Sequence, residues 1–302
     1  MTTVEIPLRG AGGEPVDLWR TLNSHGFSEL SPMLLDEGAR TLAFTVPVAG
    51  GKPRRVVVSQ SLRRIVRVDI LGRRPSVHAA DAVADGVRRV LRLDADLSSF
   101  YAKAKDDPDL AWAAAGAGRM LRSPTVFEDV VKTICTTNCS WGLTTKMVNA
   151  LVSELGEPAV GGDGPLTNAF PTPDAVAAQP ERFFREVVRA GYRAPHFPNL
   201  ARTIVSGDLD LESLAASDLP EDEIGSRLLQ LPGVGPYAAA HIMMTIGRHS
   251  RLILDSWTRP KYAKLAGGKK QPSDAQIERR FRSYGEHAGL AFWLFVTRDW
   301  VS

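Results

Sequence analysis

Two features of the chain are spaced for chemistry: the stretch Leu231-Pro-Gly-Val-Gly-Pro236, set between two helical segments, and Asp255, 20 residues after Gly235. Glycines at 233 and 235 permit a tight turn and leave their amides uncovered, so these amides and the start of the next helix can hold a phosphate. The pattern suits a nucleic-acid backbone, although an ordinary helix-helix turn can be built from the same residues. Beyond the following helix, the run Arg251-Leu-Ile-Leu254 delivers Asp255 to a helix start, where the helix dipole stabilises its anion. A carboxylate so placed can be a catalyst, or it can simply cap the helix beginning near Ser256 and Trp257.

The elements that must position these residues fall into two groups. From about residue 40 to 72 the sequence alternates in two-residue steps, with Leu42, Phe44, Val46 and then Val66, Val68, Ile70 on one side and Gly50-Gly51 and Pro53 marking a turn. This predicts an antiparallel β element, covered by a helix over 77–91 whose Ala80, Val83, Ala84, Val87, Val90 and Leu91 share a face. After residue 97 helical patterns dominate: 100–105, 126–139, 144–155, 180–190, 197–206, 221–229, 236–247, 273–284 and 287–299. Ser123-Pro124 and Ser273 read as helix starts, Gly156 and Gly247 as ends. The Gly/Pro-rich stretch 157–173 reads as a loop crossing between two helical halves. The fold class is thus α+β, mostly α, with a domain over 1–97 and a helical domain over 98–302.

Composition narrows the function classes. With 302 residues, 44% hydrophobic and 24% charged, the chain reads as an ordinary soluble protein rather than a disordered or fibrous one. No apolar run is long enough for a membrane span, and the start MTTVEIPLRGAGGEP lacks the pattern of a leader, so a cytoplasmic location is expected. Two cysteines, Cys135 and Cys139, cannot supply the four ligands of a structural zinc or an iron-sulfur cluster. They read as buried thiols. A net charge of +3 permits a polyanionic partner without demanding one. Basic residues do cluster, at Arg54, Arg55, Arg63, Arg64 and Arg67 and at Lys261, Lys264, Lys269 and Lys270, where solvated strand and loop faces are as good a reading as a binding patch.

The order helix, LPGVG hairpin, helix, apolar stretch, Asp255 resembles the helix-hairpin-helix (HhH-GPD) superfamily of DNA glycosylases, which includes the 8-oxoguanine and 3-methyladenine enzymes. The resemblance extends upstream and downstream. Ser123-Pro-Thr-Val-Phe-Glu-Asp129 and Ile134-Cys-Thr-Thr-Asn138 are similar to the segment that carries an asparagine into the gap left by an extruded base. Gly191-Tyr-Arg-Ala194 is similar to a turn whose tyrosine wedges the duplex and whose arginine faces the orphaned base, and His287-Ala-Gly-Leu-Ala291 to the start of the last helix. Residues 98 to 300 are covered in order. The first third fits the antiparallel domain of these enzymes, which the helices follow as two subdomains.

The resemblance implies a protein that binds double-stranded DNA as a monomer, flips out a damaged base and uses Asp255 to stabilise the charge that develops on the sugar. Asn138 and Tyr192 would fill the hole, with Arg193 at the unpaired base, while Gly233, Val234, Gly235 and Tyr237 would meet the backbone. Members that also nick the strand carry a lysine two residues after the second hairpin glycine, where this chain has Tyr237. Hydrolysis by water, without lyase chemistry, is therefore expected. The glutamine and phenylalanine that read 8-oxoguanine align with Phe292 and Val296, and a phosphate-contacting histidine with Trp257. Those departures favour an aromatic cage of Trp257, His241, Phe292, Trp293 and Tyr237 for an alkylated purine. No cofactor is needed, though a Na+ or K+ on the carbonyls of Leu231 and Val234 would bridge the hairpin to phosphate. An 8-oxoguanine glycosylase/lyase and a non-catalytic damaged-DNA-binding protein remain the alternatives.

Overall fold

The sheet has five antiparallel strands in the order β1-β5-β4-β3-β2: β1 (Thr2–Pro7), β2 (Leu34–Asp36), β3 (Thr41–Val46), β4 (Arg54–Ser61) and β5 (Ile65–Ile70). The computed structural model describes residues 1–61, 64–267 and 271–301. Arg63, Lys269 and Lys270 of the basic clusters lie outside the described residues. Alternation sets the register: Leu42 pairs with Val58, Phe44 with Val56, and Val58 with Val68, all buried. A helix α1 (Leu18–Leu22) and the amphipathic α2 (Val77–Val90) close the sheet's inner face, α2 burying Val83, Val87 and Val90.

Two strands were not expected from the sequence. β1 and β2 are edge strands, and only Ile6 of β1 and none of β2 is buried, so the apolar alternation that marks a strand is weak in both. The basic cluster also differs from a solvated face. Arg54 and Arg55 are buried at 7% and 4% exposure, Arg55 donating to the Pro32 carbonyl. Arg67 instead lies on the surface and pairs with Asp69 at 3.0 Å.

The helical region builds two cores. The first gathers α4 (Val126–Thr136), α5 (Trp141–Leu155), α6 (Pro173–Ala177), α7 (Glu181–Glu186), α8 (His196–Val205), α9 (Leu211–Ala216) and α10 (Glu221–Leu229). The second joins α3 (Ser98–Ala104) to α12 (Thr258–Leu265), α13 (Asp274–Phe281) and α14 (Ala288–Thr297). Between them lies α11 (Pro236–Ile246), which feeds Ile242 and Met243 to the first core and Ala240 and Met244 to the second. The 157–173 stretch corrects the expected crossing: it joins α5 and α6 within one core and docks on the sheet, Val160 exchanging backbone hydrogen bonds with Arg55 and Pro53 at 3.0 and 2.8 Å. Among the described residues no helix is long and apolar enough to cross a membrane.

Helix ends follow local chemistry. Ser273 caps α13 in a reciprocal box with Gln276, and Gly247 ends α11 in the left-handed conformation, φ 91°. α4 stops at Thr136 rather than 139 because the hydroxyls of Thr136 and Thr137 take the carbonyls of Thr133 and Ile134, and Asn138 turns left-handed at φ 46°.

Arg119 joins the sheet domain to the helices. Its fully buried guanidinium pairs with Glu14 and donates to the carbonyls of Arg92 and Ala95, while Glu14 also accepts the Leu97 amide at 2.9 Å. Arg119→Met leaves Glu14 buried without its counter-charge and is expected to cost about 3–5 kcal/mol. The double variant with Glu14→Gln should recover part of that, read by urea unfolding.

Candidate functional site

The hairpin between α10 and α11 is shaped by where its side chains can go. Val234 is buried, and its amide closes the turn on the Leu231 carbonyl at 3.1 Å. Gly233 has φ 81°, and a Cβ there would fall 2.8 Å from the His196 ring, so no other residue fits without strain. Gly235 differs: its backbone is extended and a Cβ would meet nothing within 4 Å. Smallness at 235 thus serves approach from outside. Neither glycine amide has a hydrogen-bond partner among the described residues.

Asp255 is presented by a buried approach. Ile253 is 1% exposed, and α14 presses so close that a Cβ on Gly289 would lie 2.1 Å from the Arg251 carbonyl oxygen. Asp255 Oδ1 accepts the amides of Trp257 and Thr258 at 2.8 and 2.7 Å, while Thr258 Oγ1 accepts the Asp255 amide and donates to the Ile253 carbonyl. Oδ2 has no partner among the described residues. One oxygen therefore caps the helix and the other remains for chemistry, beside the positive end of α12.

A cleft of about 1080 Å³ collects Asp255, Trp257, Tyr237, His241, Trp293, Asn138, Tyr192, Gly233 and Gly235. Within it Asn138 Nδ2 donates to the Tyr192 hydroxyl at 3.3 Å, and Tyr192 is 54% exposed. The Trp257, Trp293 and Trp300 rings lie 5.4–6.1 Å apart, and Trp293 Nε1 donates to the Ser24 carbonyl at 2.8 Å. Burial pushes the Tyr237 phenol above its ordinary pKa, with the Asp255 charge adding to the effect, so it stays protonated at neutral pH.

Two nominated residues lie elsewhere. Phe292 is fully buried and packs on Phe281 and Tyr262 at 5.6 and 6.2 Å, so it is core and does not line the cleft. Arg193 does not reach outward to a base. It is 4% exposed, donates to the Ile134 carbonyl and Thr137 Oγ1 at 3.2 and 3.1 Å, and lies 4.4 Å beneath the Tyr192 ring, bracing the two exposed residues from behind. Leu231 and Val234 also stay out of the cleft wall, leaving only the hairpin backbone for phosphate or a cation. Of the thiols, Cys135 is buried, and burial pushes it up to about 12; Cys139 is half-buried at the cleft.

The sequence reading missed four contributors. His25 and Phe27 come from a short turn of the first domain, with no periodic signal to mark them. Trp141 opens α5, and Trp300 follows the last helix. The only available signal was an excess of tryptophans near the ends of helices.

No family model matches the chain. The fold is shared with solved DNA glycosylases. It aligns with the 3-methyladenine DNA-glycosylase of Archaeoglobus fulgidus over 100% of both chains at TM-score 0.75 and 19% identity. It aligns with the apo 8-oxoguanine glycosylase/lyase of Clostridium acetobutylicum over 98% of this chain and 96% of that one, at TM-score 0.72 and 20% identity. By sequence, the N-glycosylase/DNA lyase of Saccharomyces cerevisiae is 24% identical over 169 residues, spanning 53% of this chain and 45% of the relative.

The cleft floor holds two neutral imidazoles. Burial, with His241 adding, lowers His25 to about 3, and burial lowers His241 to about 4. His25 Nε2 donates to the Leu121 carbonyl at 2.6 Å and Nδ1 accepts the Phe27 amide at 3.3 Å, which fixes its tautomer. The unfolded chain, with His25 near 6.5, binds the proton that the folded chain refuses, so this contribution to stability is present above pH 6.5 and lost as the pH falls below it. The stability difference between wild type and His25→Gln should therefore shrink by about 2 kcal/mol between pH 7 and 5, measured by urea unfolding at each pH.

Proposed function

We propose that the protein is a monofunctional DNA N-glycosylase that hydrolyses the N-glycosidic bond of a damaged, flipped-out base, with alkylated purines preferred. The observation that carries this reading is the free Oδ2 of Asp255 at an aromatic cleft that the exposed Asn138–Tyr192 pair and the hairpin glycines also line. In this reading the hairpin holds the backbone phosphate and Tyr192 and Asn138 occupy the space the base leaves. Unstacking a base costs a few kcal/mol, which such contacts offset.

As the glycosidic bond breaks, its electron pair leaves with the base nitrogen and positive charge builds on the sugar. The Asp255 anion stabilises that charge. Water adds to the sugar carbon and its proton passes to Oδ2; an alkylated purine, cationic in the duplex, departs neutral and that proton goes on to solvent, whereas a neutral lesion base takes it up on leaving, and an abasic site remains. Tyr237 occupies the place of the lyase lysine and offers a protonated phenol, which forms no Schiff base. The tryptophan faces and the Tyr237 ring supply stacking and cation-π attraction for an electron-poor purine. A Na+ or K+ would fit the hairpin carbonyls of Leu231 and Val234, since the Leu231 oxygen accepts one amide and keeps a second lone pair. It would tie the hairpin to the phosphate.

Single-turnover release from duplexes carrying 3-methyladenine, 7-methylguanine, hypoxanthine or 8-oxoguanine tests this. Asp255→Asn should lower the rate by roughly 10²–10³-fold while duplex binding persists. A covalent adduct trapped by borohydride would show strand-nicking chemistry and overturn the monofunctional assignment. Binding to abasic duplex without release of any base would favour a damaged-DNA-binding protein. Tyr192→Ala, which removes the exposed ring, should slow release about tenfold, the loss of ~1.4 kcal/mol of stacking on the bases beside the gap, followed by 2-aminopurine fluorescence.

A further inference from the structure

The polar atoms of the cleft are almost all spoken for by the protein itself. Both nitrogens of His25 are engaged, Trp293 Nε1 goes to the Ser24 carbonyl, Trp141 Nε1 to Glu29 at 3.1 Å, and the Tyr192 hydroxyl to Thr137 and Asn138. Asp255 Oδ2 and the hairpin amides are free as well, but among the described residues His241 alone of the cleft's buried side chains has polar atoms without a partner. It is 6% exposed, it lines the cleft from the second turn of α11, and neither Nδ1 nor Nε2 has a partner. Its ring is nonetheless held in place, edge-on to His25 at 5.5 Å and packed against Phe27 and Tyr237 at 5.3 and 6.1 Å.

A buried imidazole with two idle nitrogens is costly unless something arrives to pair with it. An apolar residue of similar volume would fill the same space without that cost. We propose that His241 is the specificity-determining residue of the cleft, pairing through one ring nitrogen with a polar group on the edge of the flipped base while the aromatic walls stack its faces. The inference rests on the glycosylase reading and goes beyond it, because a cage that recognised bases by stacking alone would need no polar atom at this depth. Burial holds the ring neutral at physiological pH, so it presents one donor and one acceptor rather than two donors. A base whose edge places an acceptor or a donor opposite that nitrogen can pair with it through one tautomer or the other. A base lacking such an edge leaves both unpaired and is disfavoured.

The test compares wild type, His241→Leu and His241→Gln. Single-turnover release rates are measured on the four damaged duplexes above, and affinity on a duplex carrying a tetrahydrofuran abasic site, which has no base to read. His241→Leu should reduce the ratio of the best to the worst substrate roughly 10- to 100-fold and leave abasic-duplex affinity within about twofold, while His241→Gln restores part of the ratio. An unchanged ratio in the leucine variant, or an equal fall for every base with abasic affinity retained, overturns the assignment and leaves the glycosylase reading standing. No release from any duplex by wild type would instead sink the glycosylase reading, and the His241 proposal with it. Should the leucine variant lose abasic-duplex binding, the glutamine variant decides: a ratio lowered only part of the way, with abasic affinity within about twofold of wild type, supports base reading, and an unchanged ratio or one collapsed to near unity overturns it.

Discussion

Everything in the site hangs on the burial of α11. Its sequence, PYAAAHIMMTI, is apolar on nearly every side, and residues 238 to 246 are all buried. A helix of that kind is stable only when covered all round, and here two cores cover it. The consequence is rigidity at three depths at once. The helix start fixes the hairpin glycines, the second turn fixes His241 between the cores, and the far end leads through Gly247 to the stretch that presents Asp255. Each large apolar side chain buried along α11 contributes about 1.5–3 kcal/mol, so that together they outweigh the roughly 1 kcal/mol of a helix cap.

The second core restrains Asp255 from the opposite side. α14 approaches the Arg251 backbone with only Gly289 between them, and the Gly289 amide donates to the His249 carbonyl at 2.7 Å. With Thr258 bonded to both Ile253 and Asp255, the carboxylate is fixed by a helix on each flank. The first domain contributes as well. His25 and Phe27, on the turn between α1 and β2, line the cleft, so the first domain is part of the site and not a separate appendage.

Legibility in the sequence followed the strength of local signals. The hairpin, the alternating strands β3 to β5, the α2 face and the Ser273 cap were all readable because period, glycine placement and capping chemistry agree there. β1 and β2 were not, since edge strands bury few side chains and show little alternation. The end of α4 was placed three residues late because threonine hydroxyls compete for helix carbonyls, a contest that periodicity does not register. Phe292 was assigned to the cleft and Trp293 alongside it, yet only Trp293 faces it. α14 is apolar on all sides, so the sequence offers no contrast to tell one face from its neighbour 100° away. Arg193 sits in the turn that the resemblance singled out but is buried rather than turned outward, and no local pattern distinguishes a brace from a contact.

Asp255 shows why capping and catalysis cannot be separated from sequence alone. At a helix start an aspartate is justified without any substrate, since its oxygen satisfies amides that would otherwise be orphaned. The structure gives the two oxygens different surroundings, Oδ1 accepting the amides of the helix start and Oδ2 without a partner among the described residues. An amide at this position would keep the cap acceptor and lose the anion, whereas alanine would lose both and disturb the loop. Fixing one oxygen through backbone amides also aims the other without a further side chain to hold it. The site therefore gains an oriented carboxylate from the same interactions that start α12, and its orientation is as stable as the helix itself.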